Sequence, residues 1–308
     1  MVERPVLVTG ANGNLGRKLC QHLAAASPPR RVRALIRSQR AADALRALPG
    51  AAPAEIAIVD YRDARQLAEQ AMSCDSAVHL VGILKETRAN RYADAHERAC
   101  EVLAAAADTA GLRRIVALSI LGADEASANP CLASRGRADT ILLRAKTPAV
   151  VIRVPRVLGA GDPASAALER EAHGPRTRLV GGGATLEQPI AARDVVAALV
   201  AALDSADLEG AILELAGPES LSHRALVLRA AAVLGTQVTI DSVPSALAHA
   251  FAWIAERASA DPVITRAMLG VLERDDAIDP EPARARLGIE LTPLDVALRE
   301  SFTEASAR

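Results

Sequence analysis

Six short apolar runs, each separated from the next by a longer helical stretch, constrain this chain more than any other feature. They are PVLVT (5–9), RVRALI (31–36), EIAIV (55–59), SAVHLV (76–81), RIVALS (114–119) and AVVIRV (149–154). Most are continuously apolar rather than alternating, as strands buried on both faces are. Helical patterns fill the gaps at 14–26, 63–72, 93–110 and 134–145. Strand–helix–strand units with right-handed crossovers give a doubly wound parallel sheet, so the expected fold class is α/β of the Rossmann type.

After about residue 155 the rhythm breaks. GAGD (159–162) and VGGGA (180–184) read as loops. Helical patterns follow at 193–203, 222–234, 245–257, 261–272 and 293–305, with short strands near 211–215 and 237–240. The expected organisation is a sheet-bearing domain over 1–155 and a smaller α/β lobe over 156–308. The lobe is expected to pack over the carboxyl ends of the strands, where such sheets bind ligands.

Bulk composition narrows the function classes. A net charge of −1 over 308 residues supplies no field toward nucleic acid or anionic lipid. Aromatic residues make up only 2% of the chain, too few for stacking along a single strand of nucleic acid. Cys20, Cys74, Cys100 and Cys131 lie far apart with no C-x-x-C, so neither a disulfide framework nor a metal site is expected. The N-terminus runs straight into a strand with no leader pattern, and no apolar stretch approaches the ~18 residues of a membrane span. A cytoplasmic protein is the expectation.

The turn VTGANGNLGRKL (8–19) follows the first strand and opens the first helix. Gly10 suits a tight turn, Gly13 a close approach of backbone to a pyrophosphate, and Gly16 close packing of helix on strand. The helix N-terminus adds free N–H groups and the positive end of its dipole. Thr9, Gly10, Asn12, Gly13, Asn14, Leu15 and Gly16 are therefore the candidate cradle of a nicotinamide dinucleotide. The alternative is a glycine-rich turn without a ligand.

Strand two ends in Arg37 and Ser38 where an acidic residue would bond a free ribose. An arginine there suits a 2′-phosphate, which favours NADP(H), with NAD(H) still open. A solvated strand end is the plain alternative for Arg37. Asp60 and Tyr61, in IVDYRD (58–63), are candidates for the adenine, with Asp63 as the better helix cap. Leu80, Val81 and Gly82 end strand four. Gly82 lets the chain pass close under a cofactor, or is an ordinary strand-end glycine. Pro155, closing strand six, is the last candidate contact.

These motifs, with HLVGIL (79–84), SILGAD (119–124), VIRVPRVLGAGD (151–162), LVGGGATLEQPIAARDV (179–195) and LELAGPESLS (213–222), resemble the extended and atypical short-chain dehydrogenase/reductases. Within that group, related to the NAD-dependent epimerase/dehydratases, the chain looks like the branch that includes the NADPH-binding accessory subunit of respiratory complex I and its bacterial relatives. The resemblance implies an active site with a Tyr four residues before a Lys, and a Ser at the end of strand five. Ser119 fits the last. The other two positions hold Cys131 and Arg135. The only lysines, Lys18, Lys85 and Lys146, are preceded at four residues by Asn14, Val81 and Leu142, so no Tyr-x-x-x-Lys exists anywhere in the chain.

Ser119, Cys131 and Arg135 are thus the candidate, degenerate catalytic positions, and all are expected to border the cofactor crevice. Arg135 can bond a ribose but cannot relay a proton. The Cys131 side chain is shorter than a tyrosine, and acid–base catalysis needs hydrogen-bond reach. His79 and His96 are possible substitute acids, or core histidines. Asp194 reads as a helix-start acid. In ALAHAFAWIAERA (246–258), Leu247, Phe251 and Ile254 share one helix face, which reads as lobe core, or as a lipophilic wall or docking face. The expected function is a cofactor-holding scaffold or sensor with little classical redox activity. The alternative is an active reductase or epimerase on a lipophilic or quinone-like molecule. A lipophilic small molecule or a protein assembly completes the expected partners.

Overall fold

The computed structural model describes residues 4–47 and 55–303. Six parallel strands match the apolar runs: β1 (Val6–Thr9), β2 (Val32–Ile36), β3 (Glu55–Ile58), β4 (Ser76–His79), β5 (Ile115–Ile120) and β6 (Ala149–Val154). A seventh, Ile212–Glu214, pairs parallel with β6. The order across the sheet is Ile212–Glu214, β6, β5, β4, β1, β2, β3. The chain therefore reverses its direction of travel at β1, between β2 and β4. That reversal opens a crevice above the carboxyl ends of β1 and β4.

Helices cover both faces. On one lie α1 (Asn14–Ala25) and α7 (Ala192–Asp204), whose Leu19, Leu23, Leu199 and Leu203 are fully buried against the strands. On the other lie α3 (Ala64–Ala71), α4 (Ala99–Ala110) and α5 (Pro130–Leu143). Because α7 and Ile212–Glu214 belong to this sandwich, the sheet-bearing unit continues well past residue 155. Truncating one such leucine to alanine would cost ~2–5 kcal/mol. A third core, with Leu168, Leu179, Leu226, Leu298 and Phe302, holds the smaller lobe of α6 (Pro163–His173), α8 (His223–Leu234) and α12 (Leu294–Thr303). Three two-stranded ribbons complete it, including Leu186–Glu187 antiparallel to Leu221–Ser222.

Capping residues set several helix starts. Asp63 accepts from the backbone N–H of Arg65 and Gln66 at 3.0 and 3.1 Å, as expected of the α3 cap. Asn129 caps α5 and Pro130 fills its first position, so this helix begins four residues before the expected start at 134. Three helices had no counterpart in the sequence pattern: α2 (Gln39–Arg46), α6 and α11 (Glu281–Leu287). The expected helix at 261–272 is shorter, α10 (Arg266–Leu272), and the strand near 237–240 runs Thr239–Val243. Residues 304–305 of the expected last helix lie outside the described residues.

Two features of α9 (Ser245–Ala258) differ from a lobe core. Only Ala252 is buried, while Leu247, Phe251 and Ile254 are each more than half exposed. Trp253 is also exposed, with the Arg257 guanidinium 3.7 Å over its ring. The stripe thus faces outward. Asp194 is buried and accepts from the backbone N–H and the hydroxyl of Thr292 at 2.7 and 2.6 Å, tying α7 to the approach of α12. Among the described residues, no helix is long and apolar enough to cross a membrane.

Candidate functional site

At Gly10 and Gly16 the glycine turn has the geometry that its spacing predicts. Gly10 sits at φ +70°, and a Cβ there would lie 3.2 Å from the Leu80 carbonyl. Both conformation and space therefore require glycine. A Cβ on Gly16 would meet the Gly10 oxygen at 2.5 Å and the Ala11 Cα at 2.7 Å, so β1 and α1 can approach only without it. Gly13, exposed, is the N-cap of α1 and brings no side chain to the helix end. The first-turn N–H groups therefore carry no side-chain cap. Asn12 is exposed beside them and Leu15 is half-buried.

Two members of the turn face elsewhere. Thr9 is buried, and its hydroxyl lies 2.8 Å from His79 Nδ1, beneath the crevice rather than in it. The Asn14 amide donates to Asp162 at 3.4 Å, linking the turn to the loop after β6.

The ends of β2 and β3 form a second cluster. Arg37 is exposed and lines a cavity of about 410 Å³ with Asp60, Tyr61, Val81 and Gly82. Ser38 is engaged as the α2 cap, its hydroxyl accepting from the Ala41 N–H at 3.3 Å. The Asp60 carboxylate is held by Arg62 at 2.9 and 3.0 Å, and that bond, helped by Arg37, keeps its pKa low. Tyr61 is a brace. Its hydroxyl donates to the Leu35 carbonyl at 2.6 Å and accepts from the Gly10 N–H at 2.9 Å, and burial pushes its pKa up to about 12.

At the end of β4, Leu80 packs on the core while Val81 and Gly82 face the crevice. The Arg135 guanidinium lies directly over Gly82, where any side chain at residue 82 would collide with it. Its Nη1 donates to the Val81 carbonyl at 3.3 Å, and its Nε is buried without a partner. Burial and the Arg135 charge lower the pKa of His79 to about 3 and of His96 to about 2, so both are neutral. His96 Nε2 lies 3.1 Å from both the N and O of Ile83. Neither histidine is poised as an acid near neutral pH.

The candidate catalytic positions separate. Arg135 lines the crevice, but Cys131 does not: it is completely buried, its thiol 3.8 Å from the Ile83 carbonyl. Burial raises the thiol pKa against the opposing pull of Arg135 and Tyr92. Tyr92, stacked on His96 at 5.3 Å between ring centres, donates to the Leu84 carbonyl at 2.8 Å. A π-helical turn, Ala93–Arg98, follows Tyr92 and packs against α5. Ser119 is also buried, its hydroxyl without a hydrogen-bond partner, close to the Asp139 carboxyl. Asp139 in turn pairs with Arg153 at 3.0 Å. Ser119 thus lies under the crevice floor.

A cavity of about 600 Å³ opens between the sheet and the smaller lobe, with Gly82, Arg135 and Pro155 in its wall. The charged part of that wall includes Arg156, Glu171, Glu187 and Asp276, none of which the sequence singles out. Two of them stand inside quoted motifs, Arg156 in VIRVPRVLGAGD and Glu187 in LVGGGATLEQPIAARDV. Burial raises Asp276 to about 6. His223 bridges Glu187 and Glu171 at 2.6 and 3.1 Å.

Comparisons with known proteins bear on the fold and the family. The mitochondrial NADH dehydrogenase [ubiquinone] 1 alpha subcomplex subunit 9 of Arabidopsis thaliana is 32% identical over 220 residues, covering 69% of this chain. The chain matches about half, 53%, of that relative's length. Among solved structures, the UDP-glucuronic acid 4-epimerase from Bacillus cereus, in complex with UDP-glucuronic acid and NAD, superposes with a TM-score of 0.75. It is 17% identical and the match covers 98% of this chain and 99% of that one. MoeE5, in complex with UDP-glucuronic acid and NAD, gives 0.75 at 19% identity, over 98% and 99% of the two chains. At such identities these structures share the fold. A family model described as NAD(P)H-binding matches residues 10–206, from the glycine turn to the end of α7, and the chain belongs to that NAD(P)H-binding family.

Proposed function

We propose that this chain is an atypical short-chain dehydrogenase-like protein that holds NADP(H) as a scaffold or sensor and has little classical redox activity. The carrying observation is the split at α5. Of the two positions where the resemblance sets the proton donor and its lysine, Cys131 is completely buried and only Arg135 reaches the crevice. A guanidinium binds and orients but does not give up a proton near neutral pH.

The residues present fit a dinucleotide. Gly10, Gly13 and Gly16 keep side chains out of the turn, and the α1 N-terminus offers N–H groups to a pyrophosphate. Arg135, with one buried N–H unpartnered, would meet the nicotinamide ribose. Arg37, exposed at the end of β2 with no acid in its place, supports a 2′-phosphate. When bound, the nicotinamide supplies or accepts a hydride. The chain's own residues hold it, and neither of the two replaced positions, Cys131 or Arg135, gives it a proton. The name of the Arabidopsis relative and the outward stripe of α9 support a place in a protein assembly.

The test is paired. NADPH titration should give saturable binding, tighter than NADH, while NADPH oxidation over carbonyl, enone and quinone substrates should stay at background. Efficient turnover would instead favour an active reductase or epimerase, which the 600 Å³ cavity beside Arg135 supports.

A further inference from the structure

The cavity between the sheet and the smaller lobe has a built polar corner. Glu187, on the ribbon strand Leu186–Glu187, is more than nine-tenths buried. One of its oxygens, Oε1, is fully used: Arg156 reaches it at 2.9 Å and His223 Nδ1 at 2.6 Å. The other, Oε2, is buried and has no partner. A buried carboxylate oxygen without a donor is costly, and two neighbours clamp this one in place. Glu187 lines the cavity, and this fixed acceptor stands immediately behind its wall.

The rest of the wall fixes the ligand's character. Ile83, Leu121, Val154, Met268, Val271 and Leu272 give it a broad apolar surface. Its charges nearly cancel. Arg135, Arg156 and Arg274 stand against Asp162, Glu171, Glu187 and Asp276, and His223 behind them is held protonated by the two glutamates. A carboxylate ligand would gain little here, and for an ammonium Glu171, Glu187 and Asp276 are already paired with His223, Arg156 and Arg274. The volume of about 600 Å³ lies within the range of small-molecule sites, ~300–1,000 Å³.

We infer that this cavity binds a neutral, largely apolar molecule through one hydroxyl that donates to Glu187 Oε2. The inference rests on the dinucleotide reading only for its setting, because Glu187, Arg156 and His223 all lie outside the glycine turn.

Four matched probes test it by calorimetric titration, with and without saturating NADPH: 4-butylphenol, 4-butylanisole, 4-butylbenzoate and 4-butylbenzylammonium. The phenol should bind, and the anisole, which keeps the shape but has no donor, should bind about tenfold more weakly. The two charged probes should bind more weakly still. Glu187→Gln should narrow the gap between phenol and anisole. Met268→Trp, at a half-buried position away from the polar corner, should abolish binding of all four at unchanged melting temperature, so the site remains testable if Glu187→Gln does not fold. Equal affinity for phenol and anisole would overturn the inference, as would stronger binding of either charged probe, or no binding of any. Loss of NADPH binding with the phenol still bound would instead count against the dinucleotide reading alone.

Discussion

Arg135 and Gly82 share one volume: the guanidinium of the first fills the space that a side chain on the second would need. The clash involves the far end of a flexible side chain, so Gly82→Ala should fold, with a stability cost below ~1 kcal/mol. It should displace Arg135 and weaken NADPH about tenfold, ~1.4 kcal/mol. In an Arg135→Ala background the same change should have little further effect. Fluorescence titration of the four proteins reads this coupling, and simple additivity of the two losses would break the link.

Arg37 should choose the nucleotide. Arg37→Asp removes a charge-assisted bond to the 2′-phosphate and adds repulsion, which should cost NADPH roughly 2–3 kcal/mol. NADH should lose much less. Equal losses for both would show that Arg37 is not the discriminator.

Gly13 caps α1 without a side chain. A Cβ there has only the Gly10 oxygen near it, at 3.2 Å, so Gly13→Val should leave a folded chain. The isopropyl group would occupy the pyrophosphate position, and binding of both nucleotides should be lost. Circular dichroism with a parallel titration checks the two halves, and retained affinity would remove the turn from the site.

Cys131→Tyr should be poorly tolerated. The thiol is completely buried among Ile83, Tyr92 and α5, so overpacking should cost about 1–3 kcal/mol or more, with or without Arg135→Lys. Urea denaturation measures this. A mutant as stable as the wild type would mean that the side chain has a path into the crevice.

His223 should make the chain lose stability in mild alkali. Burial opposes its charge, but the bonds and charges of Glu171 and Glu187 win and lift its pKa to about 9. Raised from ~6.5 in the unfolded chain, the group contributes fully below ~6.5, and its contribution, up to ~3 kcal/mol, disappears as pH rises through about 9. His79 and His96 act in the opposite sense. Their folded pKa values are depressed, so they favour the fold above ~6.5 and lose that contribution by ~1.4 kcal/mol per unit each as pH falls. Urea midpoints from pH 5 to 10 should form a dome, and His223→Gln should flatten only its alkaline side. An unchanged alkaline side in that variant would contradict the bridge.

Much of the fold was legible because strands buried on both faces leave continuous apolar runs, and AVVIRV matches β6 residue for residue. The glycine turn was legible for a related reason: backbone contacts at Gly10 and Gly16 exclude a Cβ, and only one residue type meets that demand. Two missed helix starts did leave a local signal. Asn129-Pro130 and Asp162-Pro163 each pair a capping side chain with proline at the first helical position. Other features depend on contacts remote in sequence. Nothing near Tyr61 announces that its hydroxyl crosses to Gly10, 51 residues away. Cys131 is buried against the Ile83 carbonyl, 48 residues away. For α9 the stripe itself was visible, but an amphipathic pattern does not say on which side the rest of the molecule lies.

The chain contains one tryptophan, and the fold has put it on the outward helix α9 rather than in any of the three cores. With the Arg257 guanidinium on its face and water at its edge, Trp253 is an optical label attached to one surface element. Its emission carries little information on the collapse of the sheet, where the packing is aliphatic, and a melt followed at that wavelength would report the detachment of α9. The same isolation makes it a clean signal for anything that settles on the Leu247, Phe251 and Ile254 stripe, since no second indole contributes to the spectrum.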